Sequence, residues 1–143
     1  MDRAYGKVPQ QQQITGEDGG FGLLVVDGVR PTGPLGAASR TDLTIRQATA
    51  ADARALAALD AEHVRHYVAP PVFMAPQPPD GAEEFRAFLA DPANAVWVAW
   101  DGDRPAGYMR FQGQSEGAAA IVNAADKTAI TGAFVRPEYR GRK

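Results

Sequence analysis

The sequence predicts an α/β domain of the α+β type, with a mixed, mainly antiparallel sheet, and three observations predict this fold class. Residues 43–47 alternate apolar and polar side chains, which is the period-two pattern of a strand with one buried face. Two later stretches repeat their apolar residues at helical spacing. Three runs rich in β-forming residues follow these stretches. The predicted order of elements from residue 43 onward is therefore β-α-α-β-β-β.

The first helix is predicted over residues 50–67. It opens with Thr49-Ala50-Ala51-Asp52, whose Thr-x-x-Asp spacing is an acidic variant of the capping box. Its apolar face also carries His63 and Tyr67, which are one turn apart. The helix must end before Pro70-Pro71, because proline has no amide hydrogen with which to continue a helix.

A proline-rich loop, residues 70–79, separates this helix from a second one over residues 82–90. Asp80 is predicted to cap the second helix, with Glu83 at the third position. The buried stripe of this helix is predicted to consist of Phe85, Phe88 and Leu89.

The three later strands are predicted at residues 95–100, 106–112 and 128–135, and a turn containing Asp101-Gly102 joins the first two into a hairpin. The hairpin is rich in aromatic residues, which could stack on nucleotides or pack in a core. Because only two arginines are interleaved among them, core packing is the favoured interpretation. The aromatic residues are Trp97, Trp100, Tyr108 and Phe111.

The composition excludes several classes of function. The chain has 143 residues, 45% of them hydrophobic, which is the balance of one ordinary globular domain. A net charge of −2 argues against a general nucleic-acid or membrane-surface binder, since either would usually need a basic excess. The chain has no cysteine and only two histidines, so no disulfide and no transition-metal site is expected. Without a recognisable targeting segment, a cytoplasmic location is the expectation.

A strand-to-turn junction near residue 135 carries the clearest chemical signal. The string Val135-Arg136-Pro137-Glu138-Tyr139-Arg140-Gly141 begins in an apolar strand and continues into a basic turn. Such a junction leaves backbone N–H groups unpaired, and a helix following it would add further donors for a phosphate group. A charged surface turn without any ligand is the alternative interpretation.

The residues at this junction resemble those of a known family. Residues 133–142 are similar to the fourth strand and the start of motif A in GNAT-type N-acetyltransferases, where an apolar strand ends in Val-x-Pro-x-Tyr-Arg-Gly. Residues 43–52 resemble the usual opening of that family, a strand with Ile-Arg followed by a Thr-x-x-Asp helix start. The resemblance covers residues 43–143 and implies the N-terminal half of an acyl-CoA N-acyltransferase fold.

The resemblance implies an acetyl-CoA co-substrate, no metal, and direct transfer of the acetyl group to an amine. The amine would belong to a small molecule or a peptide, and the family also allows a homodimer. His63 and Tyr67, near the end of the first helix, would border the acceptor, and the alternative, which the helical spacing favours, is that His63 is a partly buried packing residue beside Tyr67. His66 is predicted to face solvent. No catalytic base or acid is identified. The cofactor-binding residues would be Ala133, Phe134 and Val135 for the pantetheine arm, and Arg140, Gly141, Arg142 and Lys143 for the pyrophosphate.

The chain departs from the family pattern in two respects. Lys143 stands where the family usually has its first loop glycine, and a side chain there would crowd the approach of a pyrophosphate. The later helices and strands of the family fold would lie beyond Lys143. We therefore expect the 143-residue chain to be inactive alone, with Phe134 exposed to water. A non-catalytic binding or regulatory module, or a non-functional gene fragment, are the alternative interpretations.

Residues 1–42 differ in composition from the rest, since they hold eight of the 15 glycines. They include a strand-like run, residues 21–29, but too few apolar residues to form a domain. We interpret this segment as a flexible tail or linker, with the end of a preceding acyltransferase domain as the alternative. Residues 43–143 would then be the N-terminal part of the GNAT-type domain.

Overall fold

The helices and strands of the computed structural model follow the predicted order. The structure describes residue 33 and residues 41–72, 74–114 and 126–141, so the predicted tail lies almost entirely outside the described residues. No helix within these ranges is long and apolar enough to cross a membrane. The elements are β1 (Thr44–Gln47), α1 (Ala53–Val68), α2 (Ala82–Ala90), β2 (Ala95–Asp101), β3 (Arg104–Gln112) and β4 (Ala129–Val135).

The four strands form one antiparallel sheet in the order β1-β2-β3-β4, which confirms the predicted sheet. Each strand therefore pairs with its neighbour in the sequence. The turn between β2 and β3 is tight, because Asp101 pairs with Arg104 and only two residues lie between them. Gly102 in this turn has a φ of 57°, a conformation that glycine adopts without steric cost.

Both helices pack on the same face of the sheet and form one core with it. Leu56 and Leu59 of α1 are fully buried, and Phe85 of α2 is 1% exposed. They meet Val96 and Val98, which point to the same face of β2 because they are two residues apart. Burying a side chain of this size contributes about 1.5–3 kcal/mol to stability.

The start of the first helix is held by a carboxylate, as the capping-box spacing predicts. Asp52 accepts hydrogen bonds from the Thr49 N–H (2.8 Å) and the Thr49 hydroxyl (3.1 Å). The guanidinium of Arg46 on β1 binds both oxygens of Asp52, at 2.7 and 2.8 Å. These bonds, the one from Arg46 foremost, hold the pKa of Asp52 well below its usual range. A 3₁₀ turn, Ala50–Asp52, precedes the α-helix proper.

The predicted cap of α2 is wrong. Gly81 occupies the N-cap position and no side chain caps the helix. The carboxylate of Asp80 instead accepts a hydrogen bond from Arg110 on β3 (2.6 Å), while the Asp80 N–H donates to Asp60 on α1 (2.8 Å). A charged partner 30 residues away binds a carboxylate more strongly than a neighbouring amide does, so the tertiary contact prevails over the local cap.

The face of the sheet opposite the helices is apolar and exposed. Its large side chains are between 39% and 62% exposed, and no described helix covers them. The expectation that Phe134 is exposed is wrong, because Phe134 points toward α1 and is 5% exposed. Trp97 does not pack in the core either, since it lies on the opposite face from Val96 and Val98. The exposed residues of this face are Ile45, Trp97, Met109, Ile130 and Val135.

Strands β3 and β4 leave no room for a side chain at Gly107. A Cβ atom at Gly107 would lie 2.6 Å from the main-chain oxygen of Phe134 and 3.0 Å from the Cα of Val135. Gly132 on β4 is different, because a Cβ there would lie 3.6 Å from the Tyr108 ring, an ordinary contact. The pairing also shifts register within β4, where Arg110 pairs with Gly132 but Phe111 pairs with Ile130. Thr131 is the extra residue of this bulge.

We expect Gly107→Ala to lower the free energy of unfolding by about 1–3 kcal/mol, the usual cost of forcing extra atoms into a packed site. Gly132→Ala is the matched control and should change stability little, because the space beside it accepts a methyl group. Urea unfolding of the three proteins measures both effects. Equal stability of the two variants would contradict the close approach of β3 and β4.

Replacing Asp52 by Asn should remove part of the pH dependence of stability. The folded-state pKa of Asp52 lies below its unfolded value of about 3.9. Its contribution is therefore complete above that value and is lost as the pH falls through the folded-state pKa. In urea unfolding, the wild type should have a higher free energy of unfolding than Asp52→Asn, and the difference should shrink below about pH 4. Asp103→Asn, at an exposed turn position, is the control. A margin that does not vary with pH would rule out this role.

Candidate functional site

The outer edge of β4 carries unpaired main-chain groups. Among the described strands β4 is an edge strand, with β3 on its only paired side. The N–H of Arg136, just after β4, donates to the carbonyl of Ala106 (2.9 Å) and so points toward β3. Because successive amides of a strand point in opposite directions, the amides of Ala133 and Val135 point away from β3. The Val135 carbonyl accordingly accepts a bond from the Arg140 side chain (2.7 Å).

A 3₁₀ turn, Pro137–Tyr139, follows β4 and places the basic residues of the motif. Tyr139 is buried, and its hydroxyl donates to Asp101 at the end of β2 (2.9 Å), which fixes the turn against the sheet. Gly141 has a φ of 70°, which is the left-handed conformation that favours glycine. Arg142 and Lys143, the last two predicted cofactor-binding residues, lie outside the described residues.

An ion pair between Arg136 and Glu62 fastens the end of β4 to α1. The guanidinium donates to both Glu62 oxygens, at 2.7, 3.0 and 3.2 Å, and its Nη1 also donates to the Pro105 carbonyl (2.7 Å). The Arg136 side chain is only 12% exposed. The hydrogen bonds that Arg136 donates to Glu62 raise the pKa of Arg136. Sequence reasoning missed this pair, since its members are 74 residues apart and neither belongs to a periodic pattern.

A cleft of about 270 Å³ opens between the last turns of α1 and the residues that follow β4. The predicted residues Phe134 and Arg140 both line it. His66, which was predicted to face solvent, is partly exposed and lines the cleft, with its ring 6.4 Å from that of Phe134. The other lining residues are Glu62, Arg65 and Pro137.

His63 lies behind this cleft, in a buried hydrogen-bonded network. It is 6% exposed, and its Nδ1 is 2.9 Å from the hydroxyl of Tyr108. That hydroxyl donates to Asp60 (2.6 Å), so it accepts from His63 and fixes the proton on Nδ1. The imidazole also stacks on Phe134, with ring centroids 5.3 Å apart, and lies 4.4 Å from the Tyr67 ring.

The burial of this network sets the protonation of its members. Burial lowers the pKa of His63, which favours the neutral imidazole. Burial and then the hydrogen bond to Asp60 raise the pKa of Tyr108, so the phenol keeps its proton. His63 therefore acts first as a packing residue that supports Phe134, and Tyr67, which is 37% exposed, is the member of the predicted acceptor pair that reaches the surface.

Within the ranges that the structure describes, no three histidine or acidic side chains come together in a way that could hold a metal ion.

Tyr108→Phe should lower the free energy of unfolding by about 1–3 kcal/mol, because it leaves the partly buried Asp60 carboxylate and the His63 Nδ1 without their shared partner. Tyr67→Phe is the matched control. It also removes a hydroxyl group, but the Tyr67 hydroxyl has no described hydrogen bond and the residue is 37% exposed, so stability should change little. Urea unfolding at neutral pH measures both. If the two variants lost the same stability, the network would not contribute in this way.

Comparisons with known proteins agree with this architecture. A family model described as the acetyltransferase (GNAT) family matches residues 58–143, which is more than half of the chain. A comparison with curated proteins gives no significant match.

Among solved structures, the chain is similar to the ribosomal-protein-alanine N-acetyltransferase from Brucella melitensis biovar Abortus 2308. The TM-score is 0.53 at 20% sequence identity, covering 71% of this chain and 63% of that one. A mutant of the BH1408 protein from Bacillus halodurans matches with a TM-score of 0.49 at 20% identity, over 68% of this chain and 64% of that one. The chain thus spans less than two thirds of the length of either protein. The described sheet and helices, together with the match over residues 58–143, show that the chain belongs to the GNAT acetyltransferase family.

Proposed function

We propose that this chain is the N-terminal part of an acetyl-CoA-dependent N-acetyltransferase that transfers an acetyl group directly to an amine. The observation that carries the proposal is the edge position of β4. Its outer side presents the main-chain groups of Ala133 and Val135, in the segment whose sequence matches the family motif. The basic turn with Arg140 and Gly141 follows within six residues of that edge.

The pantetheine arm of acetyl-CoA contains two amide groups, and it would pair with this edge as an added strand does. The Val135 amide would donate to the arm, and the Val135 carbonyl would accept from it once Arg140 is displaced. The side chain of Phe134 points toward α1, where its ring stacks on the imidazole of His63. It therefore supports the strand without contacting the arm directly.

In the proposed reaction, the neutral amine attacks the thioester carbonyl carbon. A C–N bond forms, the C–S bond breaks, and the thiolate takes up a proton as the amine loses one. We assign no described residue as base or acid. Holding the thioester beside the amine contributes to the rate acceleration, because the two bound reactants are already close and correctly oriented.

The acceptor, a small molecule or a peptide, would enter beside the last turns of α1. Tyr67 and His66 are two partly accessible residues of α1 there, and the ring of His66 lies near the rings of both Tyr67 and Phe134. Their aromatic rings offer a surface on which the carbon atoms next to the amine could pack.

The pairing with β4 can be tested by NMR titration of the chain with acetyl-CoA. Because the 143-residue chain is expected to bind weakly, millimolar ligand is needed. The amides of Ala133 and Val135 should shift, whereas those of β1 should not.

Val135→Pro should remove most of this response. Proline deletes the outward amide hydrogen while leaving the β3–β4 hydrogen bonds intact, because those come from the other side of the strand. Val135→Ala keeps the amide and is the matched control. If Ala133 and Val135 do not respond in the wild type, or if Val135→Pro responds as fully as Val135→Ala, the proposed cofactor site is refuted.

A further inference from the structure

The loop between α1 and α2 contains a short proline-rich run that lies on the surface. Residues 75–79 read Ala-Pro-Gln-Pro-Pro, and all of them are exposed. The backbone of residues 74–80 forms no helix, strand, turn or bend. Between the described residues, no hydrogen bond engages a main-chain group of residues 75–79. The carbonyl groups of the run are therefore open to a partner.

Proline sterics favour one backbone conformation for this run. The ring of each proline fixes its φ at about −65°, and a residue before proline is restricted to the β and polyproline II regions. Ala75, Gln77 and Pro78 each precede a proline. The peptide bonds before the three prolines of the run are trans. We therefore expect residues 75–79 to form a left-handed polyproline II helix, which has about three residues per turn.

Two X-Pro units of the run lie one turn apart. They are Ala75-Pro76 and Pro78-Pro79, with Gln77 between them. Because the helix repeats about every three residues, the two units present the same pair of edges, about 9 Å apart along the axis. Both of these edges carry only apolar side chains.

The third edge of this helix is the one that the rest of the protein holds. It consists of residues 74, 77 and 80, and the two at its ends, Met74 and Asp80, are partly buried. The Met74 N–H donates to the Tyr67 carbonyl of α1 (2.8 Å), and the Asp80 N–H donates to the Asp60 carboxylate (2.8 Å). The run is thus fixed at both ends and exposed between them, so binding would order it at little further cost in entropy.

We propose that residues 75–79 are a docking segment for a protein module with an aromatic-lined groove, of the SH3 or WW type. Such grooves bind a preformed polyproline II helix. Each X-Pro unit would pack between aromatic rings of the groove, and tyrosine hydroxyl or tryptophan N–H groups would donate to the open carbonyls. The docking segment does not involve the edge of β4, so the inference goes beyond the proposed function and does not rest on it.

The charges beside the docking segment favour such a protein partner over a nucleic acid or an anionic membrane. Glu83 and Glu84 follow the segment in the first turn of α2 and are exposed, and of the two only Glu83 has a described ion-pair partner. The nearby Arg110 is bound to Asp80 (2.6 Å). A surface of phosphate groups would meet uncompensated negative charge here. We expect the groove of the partner to carry a basic residue at the end that receives Asp80.

A simpler explanation is that the prolines only stiffen the loop. Proline restricts the unfolded chain, so it stabilises a loop whose conformation it fits. That explanation predicts that replacing a proline by alanine lowers stability, and that no groove binds the chain. It does not account for the exposure of all three proline residues or for the three-residue spacing of the two X-Pro units. The two explanations therefore separate in a binding experiment.

The experiment probes an array of purified SH3 and WW domains with the labelled 143-residue chain, followed by calorimetric titration of each domain that binds. At least one domain should bind saturably. Pro76→Ala and Pro79→Ala each remove the ring from one X-Pro unit, and each should weaken that binding about tenfold. Gln77→Ala is the matched control, because it changes an exposed side chain of the same loop and leaves both units intact. Pro92→Ala controls for the loss of an exposed proline elsewhere.

Failure of every domain of the array to bind saturably overturns the proposal, and so does binding by Pro76→Ala that is as tight as binding by Gln77→Ala. Thermal unfolding shows whether each variant is folded. An NMR titration of the wild type with the binding domain needs no variant. The amides of Ala75 and Gln77 should shift, whereas those of β4 should not. Unchanged amides at Ala75 and Gln77 would show that the domain binds elsewhere, which also refutes the docking segment.

Discussion

The ion pair between Glu62 and Arg136 determines how the helical layer sits on the functional edge of the sheet. Both side chains are partly buried, and the guanidinium also binds the Pro105 carbonyl. One side chain therefore ties α1, β3 and the end of β4 together. A partly buried pair of this kind costs desolvation of both charges, which well-formed hydrogen bonds must offset. Here five N–H···O contacts, one of them from the Arg136 main chain, hold a single geometry in place.

A second polar network holds α2 in the same layer. Asp60 on α1 accepts from the Tyr108 hydroxyl with one oxygen and from the Asp80 N–H with the other. The Asp80 carboxylate then binds Arg110, whose guanidinium lies 3.9 Å from the centre of the Phe88 ring. The members of this chain of contacts lie on α1, on β3, on α2 and in the loop that precedes α2. The network consequently fixes the position of α2 relative to α1 and β3, which apolar packing alone specifies less sharply.

The sequence predicted the elements of the fold well and their long-range contacts poorly. The hydrophobic periods, the Thr49–Asp52 spacing and the Asp101-Gly102 turn are local signals, and the structure agrees with them. Alternation along a strand cannot say which of its two faces meets the helices. The prediction that Trp97 packs in the core is therefore wrong, whereas the expected exposure of Phe134 rested on the absence of later helices and is wrong because α1 already covers it. Likewise, no local pattern could pair Asp80 with Arg110 or Glu62 with Arg136, because these pairs exist only after the sheet has formed.

The bulge at Thr131 has a consequence for how β4 tolerates change. With one extra residue there, Ile130 pairs with Phe111 and faces away from the helices, while Gly132 and Phe134 face toward them. In an unbroken strand all three would share one face. Insertion or loss of one residue in this segment would therefore not merely alter its length. It would exchange buried and exposed side chains on one side of the bulge, bringing the isoleucine against the helices or turning Phe134 away from His63. We therefore expect β4 to tolerate substitutions more readily than insertions or deletions.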